Sequence, residues 1–365
     1  MGESRMQPTS GLNDSVLSGD MAATLSAAIS GDSGAFEALT EPYRRELLTH
    51  CYRILGSPQD AEDLVQETLL RAWRRLKTYE GRAPFRAWLY KIATNACFDV
   101  LAGRPRRSLP PALFPPADSR TSIPAPISEP IWLEPFPDEF LAPPDSTPEA
   151  RFEARESISL SFLAALQTLP PRQRCVLILS DVLDWHAAEL ADMLGTSISS
   201  VNSLLHRART TIKKAYPAKH SDVLPATAID PMTSALLDRY MHAWESANVD
   251  EIISLLIEDT TFAMPPVPFW LQGKGAIQGF ISTTLLEGEA RGRWYLRPIR
   301  ANGGPGFAWY RKDDADQSYQ AYAIQLLSIE GGRVTEITTF VDRSLFRLFK
   351  MPLKVSIGAE RLHKT

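Results

Sequence analysis

Between Ser199 and Lys214 the chain carries Ser199, Ser200, Asn202, Ser203 and His206 together with Arg207, Arg209, Lys213 and Lys214, and no carboxylate. Short hydroxyl and amide groups can exchange hydrogen bonds with base edges in a major groove, while guanidinium and ammonium groups neutralise phosphates. The spacing dictates the element that presents them. Val201, Leu205, Ala208 and Ile212 recur at helical intervals, so they stripe the buried side of a helix and turn the polar set outward. Upstream, Leu183, Ala187, Leu190 and Leu194 stripe another helix, and Gly195 stands where a turn requires a positive φ. Ser180 to Lys214 therefore reads as a helix-turn-helix whose second helix faces duplex DNA. These residues alone also fit an ordinary amphipathic hairpin with a solvated basic face.

Composition bounds the remainder. A chain of 365 residues predicts two or three domains, and a net charge of −4 makes the cationic helix a local concentration of positive charge. Cys51, Cys97 and Cys175 are far apart and form no C-x-x-C, which suggests neither a disulfide framework nor a zinc module and fits a reducing cytoplasm. Residues 1–24 lack the apolar run of a targeting signal and read as a disordered tail. No window approaches the roughly 18 apolar residues of a membrane span, so a soluble protein with no membrane partner is expected.

From about Leu25 to Gly103 the pattern is helical. Ser57 and Pro58 start a helix, DAEDLVQETLLRAWRRL, whose buried stripe is Leu64, Val65, Leu69, Trp73 and Leu76. Asp60, Asp63, Gln66 and Glu67 crowd its outer face and Arg71, Arg74 and Arg75 its last turns. Acids first and cations last suit the helix dipole, and they also suit docking on a basic partner helix. The next helix, FRAWLYKIATNACFDVLAGRPRR, interleaves Phe85, Trp88 and Tyr90 with Arg86, Lys91 and Asn95, just after Tyr79. Bases stack on rings while cations follow phosphates, so this mixture suits a single strand; a plain aromatic core is the other reading.

Proline recurs from Arg104 to Glu149, and beyond Asp118 Glu129, Glu134, Asp138, Glu139, Asp145 and Glu149 face only Arg120. Such a segment is expected to be an extended linker without helix. Its Ile131, Trp132, Leu133, Phe136 and Phe140 suggest that it lies against a groove. Helices resume near Pro148. From Ile229 helices are followed by strand-like runs, with Gly331 and Gly332 forming a hairpin turn, which implies an α+β domain.

Taken together, DAEDLVQETLLRAW, FRAWLYKIATNACFDVL and LPPRQRCVLIL…LADMLGTSISSVNSLLHRAR resemble a bacterial sigma factor of the extracytoplasmic-function group, over roughly Gly31 to Gly103 and Glu149 to Tyr216. The resemblance implies that Asp60, Asp63, Gln66 and Glu67 bind core RNA polymerase. It implies that Tyr79 and Asn95 capture an extruded base of the −10 promoter element, with Arg82, Arg86, Trp88 and Lys91 along the strand. Ser199, Ser200, Asn202, Ser203, His206, Arg207, Arg209 and Lys213 would read the −35 duplex. The acidic linker would thread toward the polymerase active centre. No cofactor or hydrolysis is implied, and a separate anti-sigma partner is left open.

The terminal domain, with its WYLRPIRANGGPGFAWYR strands, GGRVTEITTFVD hairpin and SLFRLF helix, resembles the SnoaL-like branch of the NTF2-like cone and implies control of the sigma part in cis. The glycine-rich DGGGK-type linker of one such subgroup is absent. His242, Trp244, Trp270, Tyr295, Trp309, Tyr322 and Asp342 are the candidates to line a pocket for a small molecule, with Asp259 at its mouth. Asp342 is better placed to cap the helix after Ser344, so catalysis is not expected, and no metal-ligand spacing occurs.

The expected fold is multidomain: a helical bundle, a helix-turn-helix domain and an α+β cone with a curved antiparallel sheet. The expected boundaries are 25–107 for the first sigma region, 108–148 for the linker and 149–216 for the second sigma region. A short linker at 217–228, the cone at 229–352 and a tail at 353–365 complete the chain. A conventional operator-binding regulator and a bifunctional enzyme are the competing readings.

Overall fold

The structure is a computed structural model that describes residues 19–118, 122–127, 132–141, 157–215, 231–313, 315 and 318–356. The expected linker at 217–228 and most of both tails lie outside these residues.

The first helical unit contains α1 (Gly19–Ile29), α2 (Ser33–Thr40), α3 (Arg44–Leu55), α4 (Pro58–Arg75) and α5 (Phe85–Leu101). Helix α1 begins inside the stretch expected to be a disordered tail, because Met21, Leu25 and Ala28 have a core to pack on. Between α3 and α4 the sequence acts as read. Gly56 closes α3 at φ 74, and Ser57 caps α4 by accepting from Asp60 N. Glycine is also required there for space, since a Cβ would meet Leu133 Cδ2 at 2.5 Å.

The second unit is α7 (Leu160–Gln167), α8 (Pro171–Leu177), α9 (Ala187–Leu194) and α10 (Ile198–Ala215). Gly195 takes φ 60 between α9 and α10, the turn that the helix-turn-helix pattern requires. Both units share one core, in which Leu47, Leu89, Leu166 and Val176 are all fully buried.

The linker is not helix-free. Pro110–Leu113 forms a single turn, α6, whose prolines occupy starting positions that need no amide donor. Asp138–Phe140 forms a 3₁₀ turn. As its apolar residues suggest, the segment is packed down: Trp132, Leu133 and Phe136 are buried, and Phe136 stacks on Tyr52 of α3 at 4.3 Å.

The third unit places α11 (Pro231–Glu245), α12 (Val249–Ser254) and α13 (Lys274–Phe280) with a sheet of β1 (Leu256–Ala263), β2 (Trp270–Gln272), β3 (Trp294–Ala301), β4 (Gly304–Asp313), β5 (Ser318–Glu330), β6 (Arg333–Phe340) and β7 (Lys354–Ser356). Helix α14 (Leu345–Leu348) follows β6. The sheet order is β2-β1-β6-β5-β4-β3, with β7 on β5. The expected antiparallel sheet is in fact mixed, because β1 pairs in parallel with β6. The long excursion through β2 to β5 supplies the connection that parallel pairing needs.

Alternation along the strands gives the sheet two apolar faces. Leu296, Phe307 and Trp309 face α11, while Tyr310, Leu326 and Phe340 face α14 and are also touched by Leu109 of the linker and Leu160 of α7.

Candidate nucleic-acid interface

Helix α10 owes its position to Val201, Leu205 and Ala208, which anchor it in the shared core. Its expected readers, Ser199, Ser200, Asn202, Ser203, His206, Arg207, Arg209 and Lys213, are all exposed. Arg209 is bound to Asp181 through Nε at 3.0 Å and Nη2 at 2.6 Å. The Ser203 hydroxyl donates to Ser199 O at 3.0 Å, and Ser197 Oγ accepts from Ser200 N, so these serines first serve the helix.

The aromatic and basic stretch divides between core and surface. Phe85 is buried, and Tyr79 and Trp88 rest against it with Tyr79 ring centroids 5.4 Å from Phe85 and 5.3 Å from Trp88. The Tyr79 hydroxyl donates to Ala83 O at 2.8 Å, and burial raises its pKa. Asn95 is exposed, and exposed Arg82 pairs with Glu80. Arg86 binds Glu46 at 2.7 Å and lies over the Tyr90 ring. Lys91 donates to Asp192 O of α9 at 3.4 Å, and Tyr90 meets Trp185 at 5.5 Å. The helix-turn-helix unit therefore sits against the helix that carries the expected −10 residues.

On α4, Asp63 and Gln66 are exposed and Glu67 pairs with Arg71 at 2.8 Å. Asp60 is occupied. It accepts from Arg107 at 2.9 Å and Arg104 at 3.2 Å, and Arg107 also binds Glu134 at 2.9 Å and Trp132 O at 2.7 Å. Burial raises the Glu134 pKa, against the pull of Arg107 and of the Ser57 hydroxyl. The linker acids thus rest on the chain's own cations: Asp138 on Arg300 at 3.2 Å and Glu139 on Lys350 at 3.1 Å.

Sequence reasoning did not single out Asn302. It lies at φ 52 in the turn between β3 and β4. Its backbone N–H donates to Phe136 O at 2.9 Å and its Oδ1 accepts from Phe136 N at 2.8 Å. Its Nδ2 donates to Tyr52 Oη at 2.8 Å and to Ile158 O at 2.7 Å. One residue of the third unit thereby holds the linker, α3 and the lead-in to α7. The Asn-Gly-Gly run marks the turn, but nothing local marks its partners.

The seam between the helical units is polar as well as apolar. Buried Arg174 of α8 donates to Ile54 O across the seam and to Gln167 and Leu169 O within its own unit. No carboxylate among the described residues pairs with it, and burial lowers its pKa to about 10. Cys51, Cys97 and Cys175, distant in sequence, are all buried and free beside this seam. His50 Nε2 shares a 2.9 Å hydrogen bond with Thr94 Oγ1, and burial, Arg53 and Arg86 push its pKa down to about 3.

In the cone the expected pocket residues separate. Trp244 and Trp309 meet edge to face at 4.7 Å, and Trp294 joins Tyr322 at 5.0 Å. Tyr295 does not join them; it lies on the opposite face with Tyr310 and Tyr319. His242 and Asp259 are exposed. Trp270 is turned to the linker, donating Nε1 to Phe114 O at 2.8 Å. Asp342 accepts from Ser344 N at 2.8 Å in the turn before α14, whose N-cap is Ser344 without a side-chain cap, so the capping role expected of Asp342 is not the one it takes. Among the described residues no cluster fits a metal ion, and no helix is long and apolar enough to cross a membrane.

Comparison with known proteins agrees with this geometry. Residues 39–107 match the family model for Sigma-70 region 2 and residues 159–212 that for Sigma-70, region 4. The chain is 43% identical over 323 residues, 87% of its length and 84% of the relative's, to the ECF RNA polymerase sigma factor SigG of Mycobacterium tuberculosis. It is 32% identical over 228 residues, 62% of each chain, to SigJ of the same organism. The crystal structure of SigJ superposes with a TM-score of 0.56 at 23% identity, covering 87% of this chain and 99% of that one, a likeness of fold. With both sigma regions matched in order and the SigG likeness covering 87% of the chain, the chain belongs to the extracytoplasmic-function RNA polymerase sigma factors.

Proposed function

We propose a division of labour within a protein that binds core RNA polymerase, recognises promoter DNA and initiates transcription with non-catalytic sigma domains. The exposed face of α10 reads the −35 duplex, with Ser199, Ser200, Asn202, Ser203 and His206 toward bases and Arg207, Arg209 and Lys213 toward phosphates. Tyr79, Trp88 and Asn95 take the −10 strand, with Arg82, Arg86 and Lys91 along its backbone. Asp60, Asp63, Gln66 and Glu67 dock on the polymerase. The protein works in the cytoplasm.

The cone restrains this machinery in cis. The observation that carries this reading is that Asp60 is held by Arg104 and Arg107, whose partner Glu134 belongs to a linker fastened to the cone. Transcription from a promoter library with purified core polymerase tests it, comparing the full chain with one ending at residue 216. A shared −35/−10 pattern with more product from the shorter chain supports restraint; less product from the shorter chain reverses its sign.

A second role for the cone rests on the buried indole N–H of Trp309, which has no acceptor among the described residues, whereas that of its neighbour Trp244 is shared with Tyr240. Buried donors without partners are costly, and they favour a small ligand that accepts hydrogen bonds over a catalytic site. The nearby polar chain of Tyr240 Oη to Gln325 and Gln325 to Thr339, each at 2.9 Å, is neutral and offers no base. Screening small carbonyl compounds by thermal shift, with Trp309→Phe as control, tests this role.

A further inference from the structure

We propose that the Asn302–Gly303 turn is the latch of the restrained state, fastening the linker and both sigma units at one point so that its release frees all of them together. This rests on the reading that the cone restrains the sigma units.

The argument begins with what an asparagine side chain can do. It offers one acceptor and two donor hydrogens, and here all are used on different parts of the chain. Oδ1 takes the Phe136 amide of the linker, while Nδ2 takes Tyr52 of α3 and the Ile158 carbonyl ahead of α7. The Tyr52 hydroxyl is itself a relay, donating to Glu134 O at 2.8 Å. Around this point the linker adds an antiparallel bridge, Pro137 to Ala301 at the end of β3. Asp138 adds a bond from Gly303 N at 2.8 Å and the Arg300 ion pair.

Asn302 is 5% exposed, so these groups have no water to fall back on. The linker segment held in this way also carries Glu134, the partner of Arg107, which occupies Asp60. Releasing Asn302 therefore loosens the chain of contacts that ends on the docking helix. A left-handed residue is needed at φ 52, which asparagine and glycine adopt readily. The test variant follows from that backbone. Asn302→Gly keeps the turn and the N–H to Phe136 O while deleting the amide.

Cys175 supplies the readout. It is buried at the seam beside Thr94 of α5, so its labelling by a thiol reagent in the full chain, followed at its own peptide apart from Cys51 and Cys97, reports separation of the units. Removing three buried hydrogen bonds is expected to speed labelling roughly ten- to hundredfold. Tyr52→Phe, which keeps the ring stack on Phe136 and removes the shared hydroxyl, is expected to accelerate labelling to a smaller degree. Thermal melting of both variants shows whether the chain still folds.

Transcription with core polymerase is then read for the same variants. Faster labelling with more transcript supports latch and restraint together. Faster labelling with unchanged transcript keeps the latch and overturns the restraint reading. Folded Asn302→Gly and Tyr52→Phe chains that both label at the wild-type rate overturn the latch.

Discussion

Arg107 Nη2 donates to Asp60 Oδ2 at 2.9 Å from a side chain only 9% exposed, so a segment downstream of α5 neutralises an acid on the outer face of α4. In the proposed docking role, Asp60 must lose this cation before it can take another. The Arg107→Gln chain is expected to associate faster with core polymerase, measured as an on-rate. It is also expected to lose about 2–3 kcal/mol of stability, because half-buried Glu134 is left without its cation. Arg104→Gln, at an exposed pair, is expected to cost under about 1 kcal/mol.

On α10 the two arginines differ in commitment. Arg209 is tied to Asp181 by two hydrogen bonds, whereas Arg207 is exposed one residue beyond His206. Arg207→Ala is expected to weaken promoter binding evenly across sequences and to lower the salt slope by about 1. Asn202→Ala is expected to cost about 1–3 kcal/mol on the preferred −35 sequence and much less on scrambled DNA. Titrations at several salt concentrations read both.

Asn95 is exposed on α5, while Trp88 is partly buried against Tyr79 and Phe85. Asn95→Ala is expected to slow open-complex formation on duplex promoters while leaving the melting temperature unchanged. Trp88→Ala is expected to lower both, since it also removes ring contacts. Permanganate footprinting and thermal melting separate the two.

His50 predicts an acid sensitivity. Its folded pKa of about 3 lies below the ordinary value of 6.5, so between these values the unfolded chain binds a proton that the folded chain refuses. Its contribution is therefore full above about pH 6.5 and declines as pH falls toward 3, at most by about 1.4 kcal/mol per pH unit. Urea unfolding at pH 7 and pH 5 is expected to show this loss, and His50→Gln to reduce it.

Local devices were legible in the sequence and distant ones were not. Ser57 at the start of α4, Gly195 between α9 and α10, and the stripe Val201, Leu205, Ala208 depend on neighbours within a few residues, so period and capping suffice. The Asn302 contacts to Phe136 and Tyr52 span 166 and 250 residues and leave no periodic trace. The parallel pairing of β1 with β6 is equally non-local. The face taken by Tyr295 is written in the strand itself: it alternates with Trp294 and Leu296, so a strand must send it to the other face. His242 stands two residues from Trp244, a half-turn away on a helix, and one of the two had to face solvent.

Arg174 gives the closed arrangement its character. Its guanidinium has been taken out of water and joined to the carbonyl of Ile54 on the far side of the seam, with no described carboxylate to balance it. Hydration withheld from a cation is a stored tendency to separate. Should the seam part, as the proposed restraint requires, water would return to Arg174 and offset part of the cost of uncovering the apolar residues around it. Under that proposal the closed form would be a shallow one, within reach of the binding free energy that a polymerase surface can supply.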